Sequence, residues 1–95
     1  MRYVLGLDLG TSSLKAVLLG EDGAVVAGTS RGYPIQAPRP GWAEQDPSDW
    51  WDACRAAIGA LLDDTGIAAD RVVALAVGGQ MHGTVLLDAA GALLR

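Results

Sequence analysis

The chain has 95 residues, 51% of them hydrophobic and 19% charged, with a formal net charge of −4. That composition excludes a disordered chain and limits the molecule to one small domain at most. Its seven lysines and arginines form no basic cluster, which argues against nucleic acid as a partner.

A single cysteine, Cys54, permits no internal disulfide. Its tryptophan-rich helical surroundings point to a buried thiol in a reducing compartment. Asp8 interrupts the apolar N-terminus, and no apolar run approaches the length of a membrane span. The expectation is a soluble, cytoplasmic protein with neither a membrane nor a nucleic-acid partner.

Residues 3–9 form a short apolar stretch rich in strand formers, and residues 14–19 form a second. Gly20, Glu21, Asp22 and Gly23 make a turn cluster of the kind that closes hairpins, and residues 24–27 resume the apolar pattern. Three strands with tight connections predict an antiparallel meander, covered at least in part on each face.

Pro34, Pro38, Pro40 and Gly41 then predict an irregular, extended connector. Asp46 is placed to cap a helix, Pro47 suits its first position, and Asp49 complements its dipole. Trp50, Cys54, Ile58 and Leu61 recur at helical spacing, with Ala57 and Leu62 alongside, and predict the buried stripe. Gly66 marks the stop, so the helix is expected over 47–65. Residues 72–77 are apolar without alternation, the pattern of a parallel, central strand buried on both faces. Its covering helices and sheet partners would come largely from sequence beyond Arg95. Residues 84–87 and 93–94 flank Asp88, Ala89, Ala90 and Gly91 and predict another hairpin. The fold class is α/β, in the order meander, helix, central strand, hairpin.

Two segments carry chemistry, each at the end of an apolar strand. Asp8 is costly in an apolar strand unless it borders a polar cleft or meets a partner such as Lys15 or a cation. Gly10 lets the backbone approach a ligand closely and adopt an unusual dihedral. Thr11, Ser12 and Ser13 offer hydroxyls and N–H donors suited to phosphate oxygens, beside a carboxylate able to serve hydrated Mg²⁺. The same residues also suit a plain hairpin turn with a capped aspartate. The lone lysine does not follow a glycine, and no strand leads into a Gly-x-Gly-x-x-Gly stretch, so neither familiar phosphate loop is present.

In the second segment, Gln80 and His82 sit among Gly78, Gly79 and Gly83. They suit the hydroxyls of a small substrate, with Met81 as an apolar wall. One histidine and one distant cysteine make no zinc set. A packed, hydrogen-bonded histidine at a strand end is the competing reading.

The run Gly6, Leu7, Asp8, Leu9, Gly10, Thr11, Ser12, Ser13 resembles the first phosphate motif of the FGGY carbohydrate kinases. The stretch from Pro40 through Gly41, Trp42, Ala43, Glu44, Gln45 and Asp46 to Pro47, then Trp50 and Trp51, is similar to the entry to that family's first helix. Gly79, Gln80, Met81, His82 and Gly83 resemble its xylulokinase branch. The arginine–glutamate pair of the glycerol kinase branch is absent. The resemblance covers the chain in order and implies an incomplete actin/hexokinase-like (ribonuclease H-like) nucleotide-binding domain at residues 1–95.

The resemblance further implies transfer of a phosphoryl group from ATP, with Mg²⁺, to the 5-hydroxyl of D-xylulose, and a dimeric full-length enzyme. Asp8 would serve metal and phosphate positioning, and Gly10, Thr11, Ser12 and Ser13 would lie near the phosphate. Met81, His82 and Gln80 would bind sugar, while Trp42 to Pro47 would act in packing. The family's catalytic base and adenine pocket lie beyond 95 residues, so the chain alone is expected to be an inactive part of a longer kinase. A non-catalytic packing module, an actin-like module without sugar specificity and another FGGY sugar or polyol kinase are the alternatives.

Overall fold

The structure of the protein is a computed structural model that describes residues 1–41, 43–79, 85 and 87–93. Three antiparallel strands open it: β1 (Tyr3–Leu9), β2 (Ser13–Gly20) and β3 (Val25–Gly32). Their register sets Leu5 opposite Leu18, Leu7 opposite Ala16 and Leu9 opposite Leu14, so one face of the meander is apolar. The predicted meander is present.

Two details differ from the sequence reading. The β2–β3 turn extends to Ala24, whose N–H is held by Asp22 Oδ1 at 3.1 Å, so β3 begins at Val25. It also continues to Gly32 through Thr29, Ser30 and Arg31. Polar residues suit this position because, among the described residues, β3 is an end strand of the sheet, paired to β2 alone.

The described residues among 33–46 connect the sheet to the helix without regular structure, apart from a bridge in which Gln36 and Glu44 exchange N–H···O bonds of 2.6 Å. Helix α1 (Pro47–Thr65) has the predicted limits. Asp46 Oδ1 accepts from Ser48 N at 2.9 Å, and these backbone and side-chain hydrogen bonds hold its carboxyl below the usual value. At the other end Gly66 takes φ 71°, a left-handed cap, and donates to Leu62 O at 2.9 Å.

The helix packs on β2 and β3. Its buried line is Ala53, Ala57 and Leu61, with Trp50, Cys54 and Ile58 flanking it half-buried. Of the expected stripe, Leu61 and Ala57 are buried, whereas Trp50, Cys54, Ile58 and Leu62 lie at its margin and Ala53 takes a place in the contact. Two alanines at the contact let the helix approach Leu14, Ala16 and Leu18 closely. Cys54 is free and half-buried.

A single 3-10 turn (Ala69–Arg71) leads into β4 (Val72–Gly79), which runs parallel to β1. The described sheet has the order β3-β2-β1-β4. Within it β4 has one neighbour, and Val73, Leu75 and Val77 are 55%, 53% and 63% exposed. Among the described residues α1 packs on β2 and β3, and β4 past Val72 is exposed, in keeping with the expectation that its cover comes largely from sequence beyond Arg95. Of the final predicted hairpin, the described residues show an isolated bridge between Leu87 and Leu93, with Asp88 Oδ1 accepting from Ala90 N and Ala92 N at 2.9 and 2.8 Å; residues 84, 86 and 94 lie outside the described residues. Among the described residues no helix is long and apolar enough to cross a membrane.

Candidate functional site

Because β1 and β4 are parallel, their C-terminal ends lie side by side: Leu9 pairs with Gly79, and Asp8 with Gly78. Ligands of open α/β sheets gather at that end of the strands. The two segments singled out in the sequence are 70 positions apart by number (Asp8 and Gly78, 78 − 8) yet start from adjacent strands. Gly79 fixes where the second segment leaves the sheet. Gln80, Met81, His82 and Gly83 lie outside the described residues, as does Trp42.

On the face away from α1, a row of Cα partners crosses the whole sheet: Ser30, Lys15, Asp8 and Gly78. Asp8 and Lys15 stand opposite each other but form no ion pair among the described residues, and both are exposed. The Asp8 carboxylate is thus accommodated by solvent at the strand end. A Cβ at position 78 would sit 3.9 Å from Asp8 Oδ1, so glycine there keeps the space beside the carboxylate open.

The turn after β1 is bound through its carbonyls. Gly10 N donates to Ser13 O at 3.0 Å. The Tyr33 hydroxyl donates to Gly10 O, the Gln45 side-chain amide donates to Thr11 O, and Tyr33 N donates to Ser12 O at 3.1 Å. Gln45 is itself held by Trp50, whose indole N–H donates to Gln45 Oε1 at 3.0 Å. Among the described residues, no group accepts from the N–H of Thr11 or Ser12, and the hydroxyls of Thr11, Ser12 and Ser13 make no hydrogen bond. Thr11 and Ser12 are exposed, and Ser13 is half-buried.

Gly10 was expected to need an unusual dihedral. The glycines with positive φ are Gly23, Gly41, Gly66 and Gly91, so the reason at Gly10 is different. A Cβ there would meet Ser13 O at 3.0 Å, a backbone atom already engaged in the turn. Glycine is required by close approach.

Tyr33 is buried, and desolvation followed by the nearby negative charge of Asp8 raises its pKa above the usual tyrosine value. It therefore remains a neutral donor to Gly10 O at ordinary pH. Sequence reasoning assigned neither Tyr33 nor Gln45 to the turn. The only sequence signals were an aromatic residue before Pro34 and the glutamine within the helix-entry motif.

Among the described residues there is no cluster of three or more potential metal ligands. Mg²⁺ needs none, since it is bound through one or two carboxylates, with water and substrate phosphate completing its shell. An exposed carboxylate beside free N–H groups and hydroxyls fits such a metal–phosphate ligand.

Residues 3–95 match the model of the FGGY family of carbohydrate kinases, N-terminal domain. The chain belongs to this family. It is 46% identical over 91 residues to a xylulose kinase of Escherichia coli (strain K12), covering 96% of this chain and 18% of that protein. An L-xylulose/3-keto-L-gulonate kinase of the same strain is 43% identical over 89 residues, covering 92% of this chain and 18% of that protein. The crystal structure of a xylulose kinase from Brucella ovis superimposes with a TM-score of 0.92 at 42% identity, covering 99% of this chain and 20% of that one. The chain thus spans about a fifth of the length of these relatives. Its mixed α/β architecture is that of the sugar kinases with the actin-like ATPase fold.

Proposed function

We propose that residues 1–95 are the N-terminal portion of the N-terminal domain of a cytoplasmic FGGY kinase that phosphorylates D-xylulose to D-xylulose 5-phosphate with ATP and Mg²⁺. The observation that carries this reading is the side-by-side delivery of the two segments by β1 and β4. One offers a carboxylate with free phosphate donors; the other leaves the sheet at Gly79, with Gln80, Met81 and His82 next in sequence.

In this reading Thr11, Ser12 and Ser13 bind phosphate oxygens, and Gly10, whose N–H is given to Ser13 O, lies near the phosphate without donating to it. Asp8 holds the metal through water and orients the phosphates; the metal, when bound, neutralises charge on the transferred group. Met81, His82 and Gln80 orient the sugar. Phosphoryl transfer depends chiefly on positioning and charge neutralisation, for which these groups are suited. The base that takes the hydroxyl proton and the adenine pocket come from sequence outside residues 1–95, so the isolated chain is inactive. The complete enzyme is a dimer.

A different acceptor is the second reading, favoured by the likeness to a kinase named for L-xylulose and 3-keto-L-gulonate. An ADP-release assay of the complete protein against D-xylulose, L-xylulose, 3-keto-L-gulonate, gluconate and glycerol separates the two. The highest kcat/KM on D-xylulose supports the first; preference for another acceptor replaces it.

A further inference from the structure

All four carbonyls of residues 10–13 are held by donors. One bond is internal, from Gly10 N to Ser13 O; the other three come from Tyr33 and Gln45. In a trans peptide the C=O and the following N–H share one plane and point opposite ways. Fixing Gly10 O therefore fixes the direction of the Thr11 N–H, and fixing Thr11 O fixes that of the Ser12 N–H. Those are the two donors left without a partner among the described residues. If either peptide turned over, a carbonyl oxygen would replace an N–H where an anion is to bind, reversing an attraction into a repulsion.

The two clamps come from different places. Tyr33 follows directly after β3, whereas Gln45 lies 34 positions beyond Thr11, just ahead of the α1 cap. Trp50, in the first turns of α1, takes the acceptor end of the Gln45 amide, so its NH₂ is left to face Thr11. The connector is thus joined through Gln45 both to the core-packed helix and to the turn.

We propose that Gln45, oriented by Trp50, and Tyr33 are positioning residues that lock the peptide planes of residues 10–12, so that the Thr11 and Ser12 N–H groups stay aimed at the phosphate oxygens. This rests on the kinase reading above. Neither residue touches substrate; both act through the turn.

The test uses the complete protein with Gln45→Glu, Gln45→Met and Tyr33→Phe. Gln45→Glu keeps the shape and the acceptor for Trp50 but has no donor for Thr11 O, so it retains the packing. Two readouts are taken: steady-state kinetics, and hydrogen–deuterium exchange over residues 8–14. The expected result is a kcat about five- to tenfold lower in each variant, the worth of one hydrogen bond. Sugar KM stays within twofold and amide exchange in the turn is faster by a similar factor. Unchanged kcat in all three variants, or a lower kcat without faster exchange, overturns the proposal. A wild-type protein that phosphorylates sugar while the variants do so equally well sinks this proposal alone. A wild-type protein without ATP-dependent phosphorylation sinks the kinase reading and this proposal with it.

Discussion

Asp8 of β1 pairs with Gly78 of β4, and the absence of a side chain at 78 leaves the space beside the Asp8 carboxylate open. That pairing joins the two chemically distinctive segments of the chain at one sheet end. A Cβ at 78 would stand 3.9 Å from Asp8 Oδ1, in ordinary van der Waals contact with the carboxylate. Larger side chains would project into the region where metal and phosphate are proposed to bind.

Gly10→Ala tests the tightness of the first turn. The added methyl meets Ser13 O at 3.0 Å, and any withdrawal of that oxygen lengthens its bond from Gly10 N. The expected outcome is a lower kcat in the complete protein and a destabilisation of about 1–3 kcal/mol by denaturant titration. A variant as stable and active as wild type would show that the turn has room to spare.

Leu18 and Ala57 test the packing of α1 on the sheet. Both are 0% exposed and belong to one core cluster. Leu18→Ala should cost about 3 kcal/mol through lost burial and a residual cavity. Ala57→Leu should cost about 1–3 kcal/mol by forcing the helix off the sheet. Chemical denaturation of the complete protein measures both, and a neutral Ala57→Leu would contradict the close approach.

Tyr33 supplies a pH-dependent test. Burial and then the Asp8 charge raise its pKa, so its contribution to stability is complete below the unfolded-state value and is lost as pH rises through the folded one. The chain has two tyrosines, so a Tyr3→Phe background leaves Tyr33 as its only tyrosinate; Trp and Tyr elsewhere in the complete protein are subtracted with Tyr33→Phe. Asp8→Asn should move the Tyr33 titration to lower pH. An unmoved midpoint would show that the carboxylate does not act on the hydroxyl.

His82→Ala addresses the second segment. In the complete protein it should weaken xylulose binding by about 1–3 kcal/mol, the cost of leaving polar partners unmatched, with ATP affinity little changed. Calorimetric titration with each ligand reads both values. Loss of nucleotide affinity with sugar binding intact would reverse the assignment of the segment.

Much of this architecture can be read locally. The Asp46–Pro47 entry and the Gly66 exit state the limits of α1, and the Gly20–Gly23 cluster states the β2–β3 hairpin, because each depends on neighbours in sequence. The burial line of α1 cannot be read so directly: large residues mark an apolar side, but close packing selects Ala53 and Ala57 for the contact itself. The polar end of β3 carries no strand signal, since its pairing with β2 supplies what its composition does not. Asp8 and residues 10–13 stand out because small polar residues follow an apolar strand. Tyr33 and Gln45 do not, as their bonds to the turn span 23 and 34 positions and leave no periodicity.

Asp8 is the charge proposed to position metal and phosphate for sugar phosphorylation. The most direct measurement is steady-state ADP release by the complete protein and its Asp8→Asn variant, with D-xylulose and ATP varied in turn. The account predicts ATP-dependent phosphorylation by wild type and a kcat lower by about a hundredfold in the variant, with sugar KM nearly unchanged. Equal turnover of the two proteins would contradict it.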